Sequence, residues 1–557
     1  MGTFFRIAAV ALLTFLFAYP VAALVQHGLD PNLWPPGVIM PGDWFGAIAT
    51  GNLRLPSEAY WDALIGRSDA FSNGGWTYAT VLMVVPLLIT LVYPFLPNHS
   101  TVKRDVSGVF GDARLANAAE RAAMREGLEL GIDPETGYAV RIGVQGTLVT
   151  IAPPRKGKTS GLLIPNLAFP EPQSWSGPAV VIDPKGEVFR AVAERRAALG
   201  RRVVCLDPLG LVNGQDRWNP LANRDPADIL YLQHTALALL PEASGGDESS
   251  AYFRNRAVDL ITGAMLVALT QDKRSVAAVQ ELLSREDVLV SHLKALGNRP
   301  AALSALEILQ ADPKTKDPVK STALQAFQWL ADERLRRLVG SSTFDLAELS
   351  TGAIDLFVAV PPEYKRVLAP LLRWLLSDLF TAVRRNRPEA RIMVFIDEAA
   401  ALGRFDEILT AAGELPGYGA SLWTLWQDRG QIVSLYGEAG ADVLLNTAEV
   451  VTIFDVPAVD PDESERWSRA IGQYTASVET LNRPTEGTGK GTSSFGPQGA
   501  ALMSKEALVT MPSSDLLVFP NSGGHARHPM RLRKTVAHTD PRFRRLITPV
   551  APVGRAR

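Results

Sequence analysis

The sequence predicts an α/β protein with a mostly parallel sheet, an inserted all-helical domain and an N-terminal two-helix transmembrane anchor. Three observations predict it. From Gly108 onward, short β-branched runs alternate with helical stretches, the pattern of a parallel sheet covered on both faces. The run Thr147 to Ile151 breaks at Pro153-Pro154 and leads through Gly157-Lys158-Thr159-Ser160 into an apolar helix start. Strand, tight loop and helix in that order make a phosphate-binding loop, where backbone N–H groups and the positive helix end cradle an anion. Finally, Ile7 to Val25 and Trp76 to Leu96 carry no charge. Each has the roughly 20 residues needed to cross a hydrocarbon core of about 30 Å.

The first span is longer than the apolar core of a signal peptide, about 7–15 residues, and reads as an anchor. Arg6 precedes it, Lys103, Arg104 and Arg114 follow the second span, and the intervening loop has only Arg54 and Arg67 as Lys or Arg. The positive-inside rule then places both termini and the bulk of the chain in the cytoplasm, with the loop outside. A formal net charge of -2 excludes a surface that traps polyanions everywhere. The single cysteine, Cys205, excludes a disulfide framework within the chain and reads as a small buried hydrophobe.

The loop residues Pro154, Arg155, Lys156, Gly157, Lys158, Thr159 and Ser160 are the candidate nucleotide-binding set. Lys158 supplies a point charge to the outer phosphates of ATP and Thr159 a hydroxyl to Mg²⁺. Ala152 stands where the motif has its first glycine. A Gly-Lys-Thr alone is equally well read as a turn with a surface lysine. The later run Ile392 to Ile396 decides, because it delivers Asp397 and Glu398 at its end. Asp397 suits the Mg²⁺ shell beside Thr159, and Glu398 suits the attacking water. Gln427, ending the run Ser421 to Trp426, reads as a γ-phosphate sensor, against an amide that merely satisfies a strand-end carbonyl. Polar residues also end the runs at Asp183, Asp207 and Asp455, where open α/β sheets bind ligands.

Between Ala222 and Gly340, Val and Ile runs give way to Ala/Leu helical periodicity, with breaks at Ser244 to Asp247, Gly297 to Pro300 and Asp312-Pro313. The expected organisation is a transmembrane region over 1–100, a nucleotide-binding domain over 101–221 and 341–557, and an all-alpha insertion over 222–340. The Gly/Ser/Thr-rich stretch Asn482 to Gly499 reads as a mobile loop, followed by apolar runs at Leu516 to Phe519 and Met530 to Val536.

Ordered segments carry a resemblance. They are APPRKGKTSGLLIPNL from Ala152, VVIDPKGEVF from Val180, Asp207-Pro208 and Trp218 to Leu221. FIDEAAALGR from Phe395, GYGASLWTLWQD from Gly417, Leu435 to Gly437 and RAIGQYT from Arg469 follow. Together with the two spans they resemble the coupling proteins of type IV secretion and conjugation systems, the VirD4/TraG family. The resemblance implies a RecA-like P-loop NTPase fold, similar also to FtsK-like motors. It implies an ATPase that forms a homohexamer around a channel at the bacterial inner membrane, and a helical domain that recognises substrate. Implied partners are a relaxase with single-stranded DNA, protein effectors, the secretion channel and membrane lipid. Lys158 and Thr159 then correspond to the Walker A pair, Asp397 and Glu398 to the Walker B pair, and Gln427 to the sensor.

Several relatives carry a trans-acting arginine between the acidic pair and the sensor. Here Ala411 to Ala420 has none, and only Arg404 and Arg429 flank it. Arginine clusters at Arg195-Arg196, Arg201-Arg202, Arg384-Arg385 with Arg387, and Arg542 to Arg545 read as helix ends or subunit contacts rather than a DNA track. Trp423 and Trp426 read as sheet core. Two other functions compete: a docking platform that binds nucleotide with little turnover, and an FtsK-like DNA translocase. The two-span anchor and inserted helical domain speak against the translocase.

Overall fold

The computed structural model describes residues 49–50, 103–105, 107–241, 248–482, 492–521 and 527–548. The predicted spans at 7–25 and 76–96 lie outside these residues. Among the described residues no helix is long and apolar enough to cross a membrane. The chain divides into two compact units, residues 1–103 and 104–557, and every element named below belongs to the second.

That unit is built on one eleven-stranded sheet. In chain order its strands are β1 (Leu128–Ile132), β2 (Ala139–Ile142), β3 (Thr147–Ile151), β4 (Ala179–Ile182), β5 (Arg202–Leu206) and β6 (Ile354–Val358). They continue with β7 (Ile392–Ile396), β8 (Ala420–Trp426) and β9 (Ala448–Phe454). Strands β10 (Gln473–Asn482) and β11 (Thr492–Ala501) pair with each other in a separate sheet. The large sheet is completed by β12 (Asp515–Pro520) and β13 (Met530–Arg533). Across it the order is β2-β1-β13-β12-β9-β3-β8-β7-β4-β6-β5. The strands from β9 to β5 in that list are parallel, and the four at the other edge are antiparallel.

Alternation explains why the central strands read as unbroken apolar runs. Val149, Ile151, Val180, Ile182, Val204 and Leu206 join one hydrophobic cluster, while Leu148, Ala179, Val181, Cys205, Phe395 and Trp423 join the other. A parallel sheet buried on both faces has no polar side to show. Cys205, Trp423 and Trp426 are buried, as the sequence predicts.

The chain between β5 and β6 is helical, with α3 (Ile229–Leu239), α4 (Glu248–Thr270), α5 (Val276–Ser284), α6 (Glu286–Ala295), α7 (Pro300–Gln310), α8 (Pro313–Gln325) and α9 (Glu333–Leu338). Two more helices, α1 (Ile164–Ala168) and α2 (Glu187–Ala198), lie earlier in the chain. Two of these helix starts are capped by a side chain at the break: Ser275 accepts from Ala278 N–H and Asp312 from Lys314 N–H. At Gly263 a Cβ would lie 2.4 Å from Ala305 Cβ, so glycine there sets how closely α4 and α7 approach. Both helices join the cluster that covers one sheet face.

The predicted loop at Asn482 to Gly499 is a correction. Its ends belong to the β10–β11 ribbon, with Val478 opposite Gly496 and Ser477 opposite Pro497, and residues 483–491 lie outside the described residues. A two-stranded ladder is held by main-chain bonds, which glycine supplies as well as any residue, so composition alone misleads there.

After β13 the chain crosses the start of the P-loop helix. Ala537 N–H donates to Ser160 O, and a Cβ at Gly161 would come within 2.9 Å of Thr535 O. Buried Glu129 of β1 fixes this crossing. It accepts from Thr535 Oγ1 at 2.6 Å, from both Arg542 terminal nitrogens at 2.9 Å, and from Arg141 at 3.2 Å. Asn166, in α1, bonds the backbone of the same residue through its amide. Replacing Glu129 with Ala leaves Arg141 and Arg542 without their buried partner. Chemical denaturation should show a loss of about 3–5 kcal/mol, and a loss below about 1 kcal/mol would show that the network does not hold the crossing in place.

Candidate functional site

β3 lies between β9 and β8, with β7 next to β8, so the C-terminal ends of the phosphate loop, sensor and acidic strands fall side by side. Ile151 is level with Trp426, and Ile396 with Thr424. Ala152 extends this pairing by donating its N–H to Trp426 O at 2.8 Å, so the position is ordinary buried strand and needs no glycine. The left-handed conformations fall later, at Arg155 (φ 62) and Gly157 (φ 86). The helix that follows opens with a π turn, Thr159–Leu163, before α1. Pro165 has no N–H to bond the turn behind it, and a widened turn accommodates the missing bond.

Segments 239 residues apart meet at this point. Lys158 Nζ donates to Asp397 O at 2.7 Å, and lies 3.8 Å from Asp397 Oδ1 and 3.6 Å from Glu398 Oε2. Thr159 Oγ1 is 3.1 and 3.3 Å from the two Asp397 carboxylate oxygens. Gln427 Nε2 donates to both Glu398 oxygens, at 2.8 and 3.1 Å. The side-chain amide of Gln427 thus meets the Glu398 carboxylate and not a strand-end carbonyl. Lys158, Thr159, Asp397, Glu398 and Gln427 therefore form one cluster.

The remaining loop residues behave differently. Lys156 pairs with Asp455 at 3.1 Å, and Asp455 also holds Lys534 at 2.6 Å. Pro154 and Arg155 are exposed. With Lys156, Gly157 and Ser160 they line a cavity of about 960 Å³ whose other wall includes Thr535 and Thr539. Among the other polar strand ends, Asp207 is occupied by the N–H groups of Leu211, Val212 and Gly214 and organises its own loop.

Burial dominates the electrostatics. It raises the Asp397 carboxyl above its ordinary range, with Lys158 and the Thr159 hydroxyl pulling the other way and Glu398 adding to the rise. Asp183 ends β4, the neighbour of β7, and is fully buried. Desolvation, with the charges of Asp397 and Glu187 adding to it and the Phe189 N–H opposing, pushes it up to about 7. One of its carboxylate oxygens has no hydrogen-bond partner. A hydroxyl facing a carboxylate is an oxygen donor set that suits Mg²⁺. Among the described residues no group of three or more His, Cys, Asp or Glu side chains forms a metal cage.

Sequence reasoning missed two residues here. Asp183 was visible only as a polar strand end. Lys365, whose Nζ lies 4.0 Å from Glu398 Oε1, starts the helix α10 (Lys365–Arg385) and carries no local motif. The arginine clusters are largely structural. Arg196 is fully buried against Asp355 at 2.6 Å, Arg195 caps Ala168 O and Phe169 O, and Arg384 reaches Glu407 at 3.3 Å.

The family model described as Type IV secretory system Conjugative DNA transfer matches residues 101–553. The chain is similar to Protein VirD4 of Rhizobium radiobacter, 25% identical over 418 residues, covering 72% of this chain and 59% of that protein. It is also similar to the type IV secretion system-coupling protein VirD4 of Bartonella quintana (strain Toulouse), 25% identical over 511 residues, covering 80% and 77%. Among solved structures, the plasmid coupling protein TrwB in complex with ADP and Mg²⁺ superposes with a TM-score of 0.59 at 16% identity, over 80% of this chain and 98% of that one. This likeness shows the fold: mixed α/β on a large, mostly parallel sheet.

A pH dependence follows from Asp183. In the unfolded chain its carboxyl returns to the ordinary 3.8, so between about pH 4 and 7 the native state keeps a proton the unfolded state has lost. Stability therefore falls as pH rises through that window and levels off above it. Asp183→Asn removes this fall and should gain on the unsubstituted protein by up to about 1.4 kcal/mol per pH unit. Unfolding midpoints whose difference is constant from pH 4 to 7 would contradict it.

Proposed function

The chain belongs to the Type IV secretory system conjugative DNA transfer family, and from that premise we propose that it is a membrane-anchored ATPase coupling protein. It recruits a relaxase–DNA complex or protein effectors and feeds them to a type IV secretion channel with energy from ATP hydrolysis. We place it at the bacterial inner membrane through its two N-terminal spans, assembled as a homohexamer on a RecA-like nucleotide-binding domain, with residues 222–340 as the substrate-recognising all-alpha domain. Its partners are then single-stranded DNA with its relaxase, secreted effectors, channel components and membrane lipid.

One observation carries the reading: Lys158 and Thr159 of the phosphate loop meet Asp397, Glu398 and Gln427 of two other strand ends within hydrogen-bond or ion-pair reach. Bound Mg²⁺ would supply charge neutralisation to the phosphates, with Thr159 and Asp397 as the residues that would hold it. Lys158 exchanges its present acceptor, Asp397 O, for phosphate oxygens. Glu398 accepts the proton of the attacking water, and Gln427 fixes the orientation of that carboxylate through its amide.

Replacing Lys158 with Ala should abolish ATP binding and turnover without affecting membrane insertion. Glu398→Gln should retain binding and lower turnover by about 10²-fold or more, with substrate transfer lost in cells. The assembled protein given DNA would overturn the motor reading if it showed no Lys158-dependent hydrolysis. Normal transfer by Glu398→Gln would leave only a docking platform.

A further inference from the structure

Phosphoryl transfer builds negative charge on the γ-phosphate oxygens, and P-loop enzymes meet it with a cation beyond the loop lysine. The sequence has no arginine from Ala411 to Ala420. The two arginines flanking that stretch are committed elsewhere. Arg404 lies 3.1 Å from Asp406, and buried Arg429 holds Glu438 at 2.6 Å and Asp442 at 3.0 Å. Withdrawing Arg429 would strand a desolvated charge.

Lys365 is placed differently. The short turn Pro362–Tyr364 after β6 delivers it as the first residue of α10. Its Nζ stands 4.0 Å from Glu398 Oε1, while Lys158 approaches Glu398 Oε2 at 3.6 Å and Gln427 bonds both oxygens. Among the described residues, Glu398 is the acid it reaches within ion-pair distance. The Lys365 side chain is 42% exposed. A pair so open to solvent holds its partners weakly, and a flexible four-carbon stem lets the ammonium swing by several ångströms.

Resting on the reading of this site as an ATP hydrolase, we propose that Lys365 is a catalytic cation that acts in cis on the γ-phosphate, in the role otherwise given to an arginine from a neighbouring subunit. As water adds to the γ-phosphorus, the bond to the bridging oxygen of ADP breaks and the water proton passes to Glu398. Lys365 keeps its proton and contributes charge alone. Its present contact with Glu398 is the parked position, from which it turns toward the phosphate that arrives beside that carboxylate.

The test uses the full-length protein with DNA, carrying Lys365→Met, and measures ATP turnover beside ATP affinity. Turnover should fall by about tenfold or more, with the dissociation constant for ATP within about threefold of the unsubstituted protein. Mixed oligomers of Lys365→Met and Lys158→Ala protomers should remain as slow as Lys365→Met alone, because each intact nucleotide site still lacks its own lysine. A fall of less than about tenfold, a loss of ATP binding, or recovery in the mixed oligomers would each overturn the proposal. Absence of Lys158-dependent hydrolysis in the unsubstituted protein would instead overturn the ATPase reading itself.

Discussion

The contact between Lys158 and the end of β7 is the constraint on which the rest of this structure depends. A lysine 15% exposed needs acceptors, and it finds the Asp397 carbonyl at 2.7 Å with the Glu398 carboxylate 3.6 Å away. The Thr159 hydroxyl meets both Asp397 oxygens at the same place. These bonds can form only if β3, β8 and β7 keep their parallel register, because sliding one strand by a residue would turn each strand-end side chain to the opposite face. The sheet order is thus what brings two segments far apart in sequence into contact.

A second constraint works from the other side of the loop. The antiparallel strands β12, β13, β1 and β2 continue the sheet beyond β9 and return the C-terminal segment across the P-loop helix. Glu129 binds Thr535, Arg542 and Arg141 in one buried set. Asp455, ending β9, pairs with both Lys156 of the loop and Lys534 of the segment. The phosphate loop is therefore braced by acids on one flank and answers to acids on the other. Its lysines divide accordingly: Lys156 pairs with Asp455, and Lys158 with the end of β7.

Much of this was legible in the sequence, for reasons that can be stated. Phosphate chemistry demands a glycine-flanked lysine and hydroxyl after a strand, so that segment announces itself. Ile392 to Ile396 ends in two acids because a parallel strand buried on both faces can change character only at its end. The helical stretch after β5 shows its period plainly in Ala and Leu. What stayed hidden depended on tertiary pairing. Val478 against Gly496 gives no local strand signal, because a main-chain ladder tolerates glycine. Lys365 resembles any lysine at a helix start until β6 and β7 are known to lie on either side of β4. Asp207 and Asp183 both end strands in an Asp-Pro dipeptide. One satisfies its own loop while the other keeps an unpartnered buried oxygen beside Asp397.

If the site takes nucleotide as proposed, its charges require the protein to move. Glu398 is already shared among Lys158, Lys365 and Gln427, and Asp397 among Lys158 and Thr159. Incoming phosphates compete directly for Lys158, and losing that lysine leaves two mostly buried carboxylates less compensated, which burial penalises. A bound divalent cation would compensate Asp397, and Glu398 would keep Gln427 and Lys365 as its partners. Strand β8 leads through Gln427 into the helix Arg429–Thr447, whose backbone breaks from helical geometry at Gly437 (φ 71). A change in the Glu398–Gln427 contact therefore acts on a helix that already has a bend in it. On the proposed function, this is the route by which a difference of one phosphate would reach a helix able to move.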